Sequence, residues 1–208
     1  MRRRIIECCI LFVVCISLCG LYRLFNPQPN EESLTTVEAF CNAEYSAKRI
    51  LSYEDVPLVD DMLQQLRRCA TIVKVKPLDD LRHNNFVISQ KMIVQDCIRG
   101  DLCQGDIIWI TCPSGPYKGN LEPFQIMYPE YTYYVALDDF HVEQEYFPDF
   151  RMMALRTTEV EKGIVLNRDE YYTYGDLQPY SFYADSEDAL KSLYQTSSEC
   201  ISYIESIE

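Results

Sequence analysis

Residues 86–94 read FVISQKMIV, and along them Phe86, Ile88, Gln90, Met92 and Val94 alternate with Val87, Ser89, Lys91 and Ile93. A period of two sends successive side chains to opposite faces of an extended chain, so the segment predicts a strand and not a helix. Upstream, ATIVKVK (70–76) is rich in β-branched residues and stops at Pro77, and the polar run 78–85 reads as a turn. Downstream, Gly100-Asp101 and Gly105-Asp106 bracket a tight connection into IIWIT (107–111), whose lack of alternation predicts burial on both faces. Residues 112–122 hold two prolines and two glycines and predict a surface loop, after which YTYYVAL (131–137) predicts a further strand. Weaker strands are expected over 152–156 and 163–167.

Helices flank these strands. Residues 37–51 have Thr36 as a candidate cap and a loose apolar face from Val37, Phe40, Cys41, Ala47, Ile50 and Leu51. In 55–69, Val56, Leu58, Val59, Met62, Leu63 and Leu66 recur at steps of three and four, with acids early and Arg67 and Arg68 late, as the helix dipole prefers. Ala189, Leu190, Leu193, Tyr194, Cys200, Ile201 and Ile204 give a last helix over 186–207, with Asp185, Glu187 and Asp188 at its start. The expected fold is mainly β with flanking helices, arranged as a small antiparallel barrel and not a parallel sheet.

Taken together, ATIVKVK, FVISQKMIVQDCIRGD, GDIIWIT and EYTYYVAL make residues 69–137 resemble the OB-fold, a five-stranded barrel, in the variety found in netrin-like and tissue-inhibitor-of-metalloproteinase domains. The resemblance covers about a third of the chain and implies an OB-like antiparallel barrel more than a function. Inhibitors of that type act through a free amino-terminal cysteine. Here other sequence precedes the domain, so that mechanism is not carried over. GDIIWI (105–110) is similar to a strand of membrane-bound signal peptidases, but their Ser-Met nucleophile motif and a matching lysine are missing.

The preceding sequence opens with Arg2, Arg3 and Arg4 and then runs apolar to Phe25, interrupted by Glu7 and Arg23 near its ends. Residues 5–25 are long enough to span a bilayer as a helix, and the arginines predict a cytoplasmic amino terminus. Ser17 and Cys19 make a poor cleavage site. Val14 and Leu18 stand where a lipoprotein signal wants a small residue, so an uncleaved anchor is expected. The organisation read from the sequence is a transmembrane anchor over 1–25, a spacer over 26–36 and an extracytoplasmic OB-like domain over 37–208. The expected location is the cell membrane, single-pass, with the carboxyl-terminal domain outside the cytoplasm.

Composition then narrows function. The 208 residues are 48% hydrophobic and 25% charged, ordinary globular values. Residues 1–26 hold four arginines against one glutamate. The remainder therefore carries 15 basic and 31 acidic residues, a net −16 that repels nucleic acid. Seven glycines and two histidines leave little material for phosphate loops or acid/base constellations. His83 falls in the polar run and His141 among acids. Asp60-Asp61, Asp79-Asp80 and Asp138-Asp139 lack the spacing of a calcium loop. Cys97 and Cys103 are too far apart for a CxxC pair, and the six cysteines beyond the anchor read as small apolar residues or occasional disulfides. The expectation is a non-enzyme without cofactor or metal.

Tyrosine is the surplus, at 16. One group is Tyr128, Tyr131, Tyr133 and Tyr134; a second is Tyr171, Tyr172, Tyr174, Tyr180 and Tyr183. Exposed tyrosine rings suit protein interfaces or sugar stacking, whereas buried ones would simply line the barrel wall. The binding residues expected from the sequence are Tyr128, Tyr131, Tyr171, Tyr172 and Tyr174. The expected function is binding of an envelope protein partner by a membrane-anchored domain, with carbohydrate binding as the alternative.

Overall fold

The computed structural model describes residues 36–83, 87–113, 126–148, 154–158 and 162–208. The expected anchor, nearly all of the spacer and most of the loop after Cys112 lie outside the described residues. No helix among the described residues is long and apolar enough to cross a membrane.

The fold is mainly β with a carboxyl-terminal helix. Its elements are α1 (Val37–Cys41), β1 (Glu44–Ser46), α2 (Val59–Arg68), β2 (Thr71–His83), β3 (Val87–Arg99), β4 (Ile107–Pro113), β5 (Tyr133–Val142), β6 (Glu145–Pro148), β7 (Leu155–Arg156), β8 (Gly163–Val165), β9 (Tyr171–Thr173), α3 (Tyr174–Leu177), β10 (Phe182–Ala184) and α4 (Glu187–Ile207). The large sheet runs β2-β3-β4-β6-β5-β7, and β5 also pairs with β2. The pairs β2–β3, β3–β4, β5–β6 and β2–β5 are antiparallel, and β4–β6 is parallel. Two ribbons stand apart, antiparallel β1–β9 and parallel β8–β10.

β3 follows the alternation of FVISQKMIV, with Ile88, Met92 and Val94 buried. The strand buried on both faces is β5. Tyr133, Val135 and Leu137 pack with Val73, Val75, Met92, Val94, Ile108 and Ile110, while Tyr134 and Ala136 pack beneath the helices. On β4, Ile108 and Ile110 are buried and Ile107 and Trp109 are half-buried, so the expectation of two covered faces is corrected. Trp109 is shielded from water on its outer face by the Arg82 guanidinium, 3.8 Å from the ring centroid. Its unbroken hydrophobicity reflects a cation–π contact and not a second core layer.

Two further expectations are corrected. The polar run after Pro77 is not a turn, because β2 continues to His83. A register shift between Pro77 and Leu81 absorbs the missing proline N–H, and the acids and Arg82 take the exposed side. The helix expected over 37–51 ends at Cys41, since Glu44, Tyr45 and Ser46 instead pair with Thr173, Tyr172 and Tyr171.

α2 buries Met62 and Leu66 and has Asp60 and Asp61 early and Arg67 and Arg68 late. Its carboxyl-terminal carbonyls are held from outside. Arg99 Nη1 donates to the carbonyl oxygens of Leu66 and Cys69, each at 2.8 Å, and Nη2 donates to the Tyr203 hydroxyl on α4 at 3.2 Å. One side chain thus satisfies a helix end and ties it to the last helix. The Ser186 hydroxyl caps α4 by accepting from the Ala189 N–H at 3.3 Å. The buried face of α4 runs through Ala189, Leu190, Leu193, Cys200, Ile201 and Ile204.

Candidate functional site

Gln90 lies on the inward face of β3 between Ile88 and Met92 and is buried. A buried amide must find partners for both ends, and Gln90 finds them in one backbone unit. Its nitrogen donates to the Met127 carbonyl, and its oxygen accepts from the Met127 N–H at 3.0 Å. This pair fixes residues 126–128 against the sheet. Tyr128 follows directly, its N–H donating to the Tyr133 hydroxyl at 3.0 Å and its own hydroxyl donating to the Tyr174 carbonyl at 2.6 Å. A turn closed by the Tyr131 N–H on the Tyr128 carbonyl, at 3.1 Å, carries the chain into β5.

The structure therefore brings Tyr128, Tyr131 and Tyr174 into one region, drawing on both tyrosine groups. At its centre is Arg156 on β7, opposite Tyr133 in the ladder. Arg156 is 4% exposed. Its guanidinium carbon lies 3.6 Å from the centroid of the Tyr131 ring and 5.9 Å from that of Tyr128. Nη2 donates to the Gln178 carbonyl at 3.0 Å, just past α3. Nε and Nη1 are buried without a hydrogen-bond acceptor. No carboxylate forms an ion pair with Arg156 among the described residues.

The imbalance can be weighed. Burying a charged group costs several kcal/mol after relaxation. A desolvated cation–π contact returns about 2 kcal/mol, and one charge-assisted hydrogen bond about 1.5–3 kcal/mol. Arg156 is thus compensated in part by a ring and a carbonyl, with Nε and Nη1 left without an acceptor. Its field reaches its neighbours. Burial pushes the Tyr133 hydroxyl up, while the Tyr128 N–H and Arg156 draw it back. Burial likewise raises Tyr128, with Arg156 opposing. The phenols stay neutral, so the site has one positive charge and a polar aromatic lining.

The five tyrosines expected to bind occupy different environments. Tyr174 is 1% exposed and packs against Phe40 and Tyr45, with ring centroids 5.5 and 4.8 Å away. Tyr128 is 7% exposed and belongs to the same core cluster. Tyr131 is half-buried and touches two clusters. Tyr172 is half-buried, its hydroxyl donating to Glu170 at 2.9 Å and accepting from the Asn167 N–H at 3.1 Å. Tyr171, beside it on β9, is 64% exposed. Tyr171 and Tyr172 are not joined to the Arg156 region by any hydrogen bond or ring contact among the described residues.

Arg156 escaped the sequence reading, where it closed the weak strand MMALR. Its one signal is a lone arginine at the end of an apolar run, a pattern shared by many snorkelling surface residues. A second polar-aromatic patch surrounds Trp109 on the outer sheet face. Arg82 and Lys91 approach its ring at 3.8 and 5.8 Å, Arg82 pairs with Glu145 at 3.6 Å, and Lys91 pairs with Asp80 at 2.8 Å. Its charges are exposed and matched, so it reads as surface packing worth under about 1 kcal/mol per pair. Cys41, Cys97, Cys103, Cys112 and Cys200 are free thiols, and the Cys69 thiol donates to the carbonyls of Thr71 and Leu137, each at 3.1 Å. Among the described residues no cluster of His, Cys, Asp and Glu could hold a metal ion. The chain matches no family model and no curated protein.

Proposed function

We propose that this chain is a single-pass membrane protein whose residues 1–25 anchor an extracytoplasmic, acidic head, and that the head binds another envelope protein. In this reading the head is an OB-like barrel of β2 to β6. What supports the barrel is that the pairings β2–β3, β3–β4, β4–β6, β6–β5 and β5–β2 return to the strand they start from. The observation that carries binding is Tyr171, a large aromatic side chain 64% exposed on the short ribbon β1–β9. A tyrosine ring offers contact area at low entropy cost and suits the centre of a protein interface.

The test is site-specific photocrosslinking in the native membrane. A photoreactive side chain at Tyr171 is expected to give a discrete protein adduct that the same group at exposed Lys191 on α4 does not give. Identical adducts from both positions, or none from Tyr171, would remove the proposed interface. A carbohydrate-binding module of the envelope is the second reading, favoured by the half-buried ring of Tyr131 beside a cation. Binding of the purified chain to a glycan array, unchanged by Tyr171→Ala, would select it.

A further inference from the structure

The guanidinium of Arg156 has the composition of half an ion pair. It is nine-tenths buried, its Nε and Nη1 have no acceptor, and no acidic side chain among the described residues forms an ion pair with it. We propose that Arg156 anchors a binding site for a ligand carboxylate, with the ring of Tyr131 as its aromatic cover. Two charge-assisted bonds from one guanidinium to one carboxylate are the arrangement this side chain makes most readily. They would supply an acceptor to Nε, which shares its fork with Nη2, and the negative charge that the fold leaves out.

The surroundings narrow the ligand class. Among the described residues Arg156 is the one cation over the rings of Tyr128 and Tyr131, so the site balances a monoanion and not a doubly charged phosphate. Tyr131 lies 3.6 Å over the guanidinium and is only half-buried, and it follows a turn. It is therefore the part of the lining whose displacement opens Arg156 to a ligand from outside. Tyr128 and Tyr133 are held by the bond between them, and Gln90 holds the backbone beneath. The rear of the site is fixed and its front is a single ring. This inference depends neither on where the head is located nor on what Tyr171 touches. The site stands whether or not the proposed envelope partner exists.

Two sources of a carboxylate are chemically equivalent at the guanidinium, an acidic sugar and a peptide carboxyl terminus. The full chain in detergent micelles is titrated with acetate, with glucuronate, and with a short peptide bearing either a free carboxyl terminus or its amide. Ionic strength is held constant with chloride, and the melting temperature and the Arg156 Nε–H resonance are both followed. A saturable rise in melting temperature with a carboxylate, none with chloride or the peptide amide, and a shift of the Nε–H resonance are expected. Response to glucuronate alone identifies a sugar acid and response to the peptide acid alone a protein terminus, and either supports the site. Arg156→Gln is expected to weaken binding at least about tenfold. Tyr131→Ala, which removes the cover, is expected to tighten it. No saturable response to any of the three carboxylates overturns the proposal, as does an equal response in Arg156→Gln. Should that variant fail to fold, an Nε–H resonance unmoved at saturation in the wild-type chain overturns it equally.

Discussion

Replacing Arg99 with alanine is expected to loosen α2 from the rest of the fold. Arg99 Nη1 makes two hydrogen bonds of 2.8 Å, to the carbonyls of Leu66 and Cys69, and Nη2 makes a longer one of 3.2 Å to the Tyr203 hydroxyl. Hydrogen bonds to a charged donor contribute about 1.5–3 kcal/mol each when shielded from water. Arg99 is half-buried, and water can reach part of the helix end once the side chain is gone. The lower end of the range therefore applies to the two short bonds, and the loss comes to about 3 kcal/mol. For a chain of this length that lowers the melting temperature by about 6–12 °C. Urea titration of the chain measures it, followed by the fluorescence of Trp109, the single tryptophan. Arg99→Lys keeps the charge but cannot reach two carbonyls and a hydroxyl from one nitrogen, so it should recover about half. An Arg99→Ala chain within about 0.5 kcal/mol of wild type, as for an ordinary surface change, would refute the clamp.

Gln90→Leu strands the buried N–H and carbonyl of Met127 and should cost about 2–5 kcal/mol, read by the same titration; a loss below about 1 kcal/mol would show that residues 126–128 are held some other way. Gly163→Ala drives a methyl group into the Tyr194 hydroxyl and to 3.0 Å from Leu190 Cδ2, so about 1–3 kcal/mol is expected, with partial recovery in a Gly163→Ala, Tyr194→Ala double variant. Burial pushes the Cys41 and Cys200 thiols up from the ordinary 9.0 to about 11. A raised value favours the protonated thiol in the fold. The stability it contributes is whole below pH 9 and is lost as pH climbs from 9 toward 11. At pH 8, alkylation followed by mass spectrometry should mark exposed Cys103 quickly and leave Cys41 and Cys200 unmodified until the chain unfolds.

The parts of the fold that are legible in the sequence are those specified locally. β3 declares itself by alternation, α2 and α4 by apolar stripes with charges sorted along the dipole, and the β3–β4 connection by Gly105 at φ 92° with Asp106 accepting from the Cys103 N–H. What the sequence hides is decided by distant partners. β6 is only Glu145–Pro148 and exists because β4 and β5 flank it. Tyr45 leaves the expected helix because its partner strand arrives much later in the chain. Leu58 fits the apolar stripe of α2 by spacing, yet it stands just before the helix and is 70% exposed. The same limit applies to the candidate site. Alternation puts Tyr171 on the face opposite Tyr172, but nothing local says which face is covered, and Tyr174 already belongs to the short helix α3. Arg156 acquires its setting from residues 128–133 and 178, none of them near it in sequence.

The pairing of β1 with β9 and the packing of α4 over α2 and β5 carry a cost in time. A ribosome adding about 5–20 residues per second needs roughly 5–20 s between the release of β2 and the appearance of α4. Throughout that interval Ile72, Tyr134 and Ala136, as they emerge, have α2 but not α4 over them. The nascent chain must be kept from its neighbours while it waits, so a chain stopped before residue 187 is expected to aggregate and not to fold as a smaller unit.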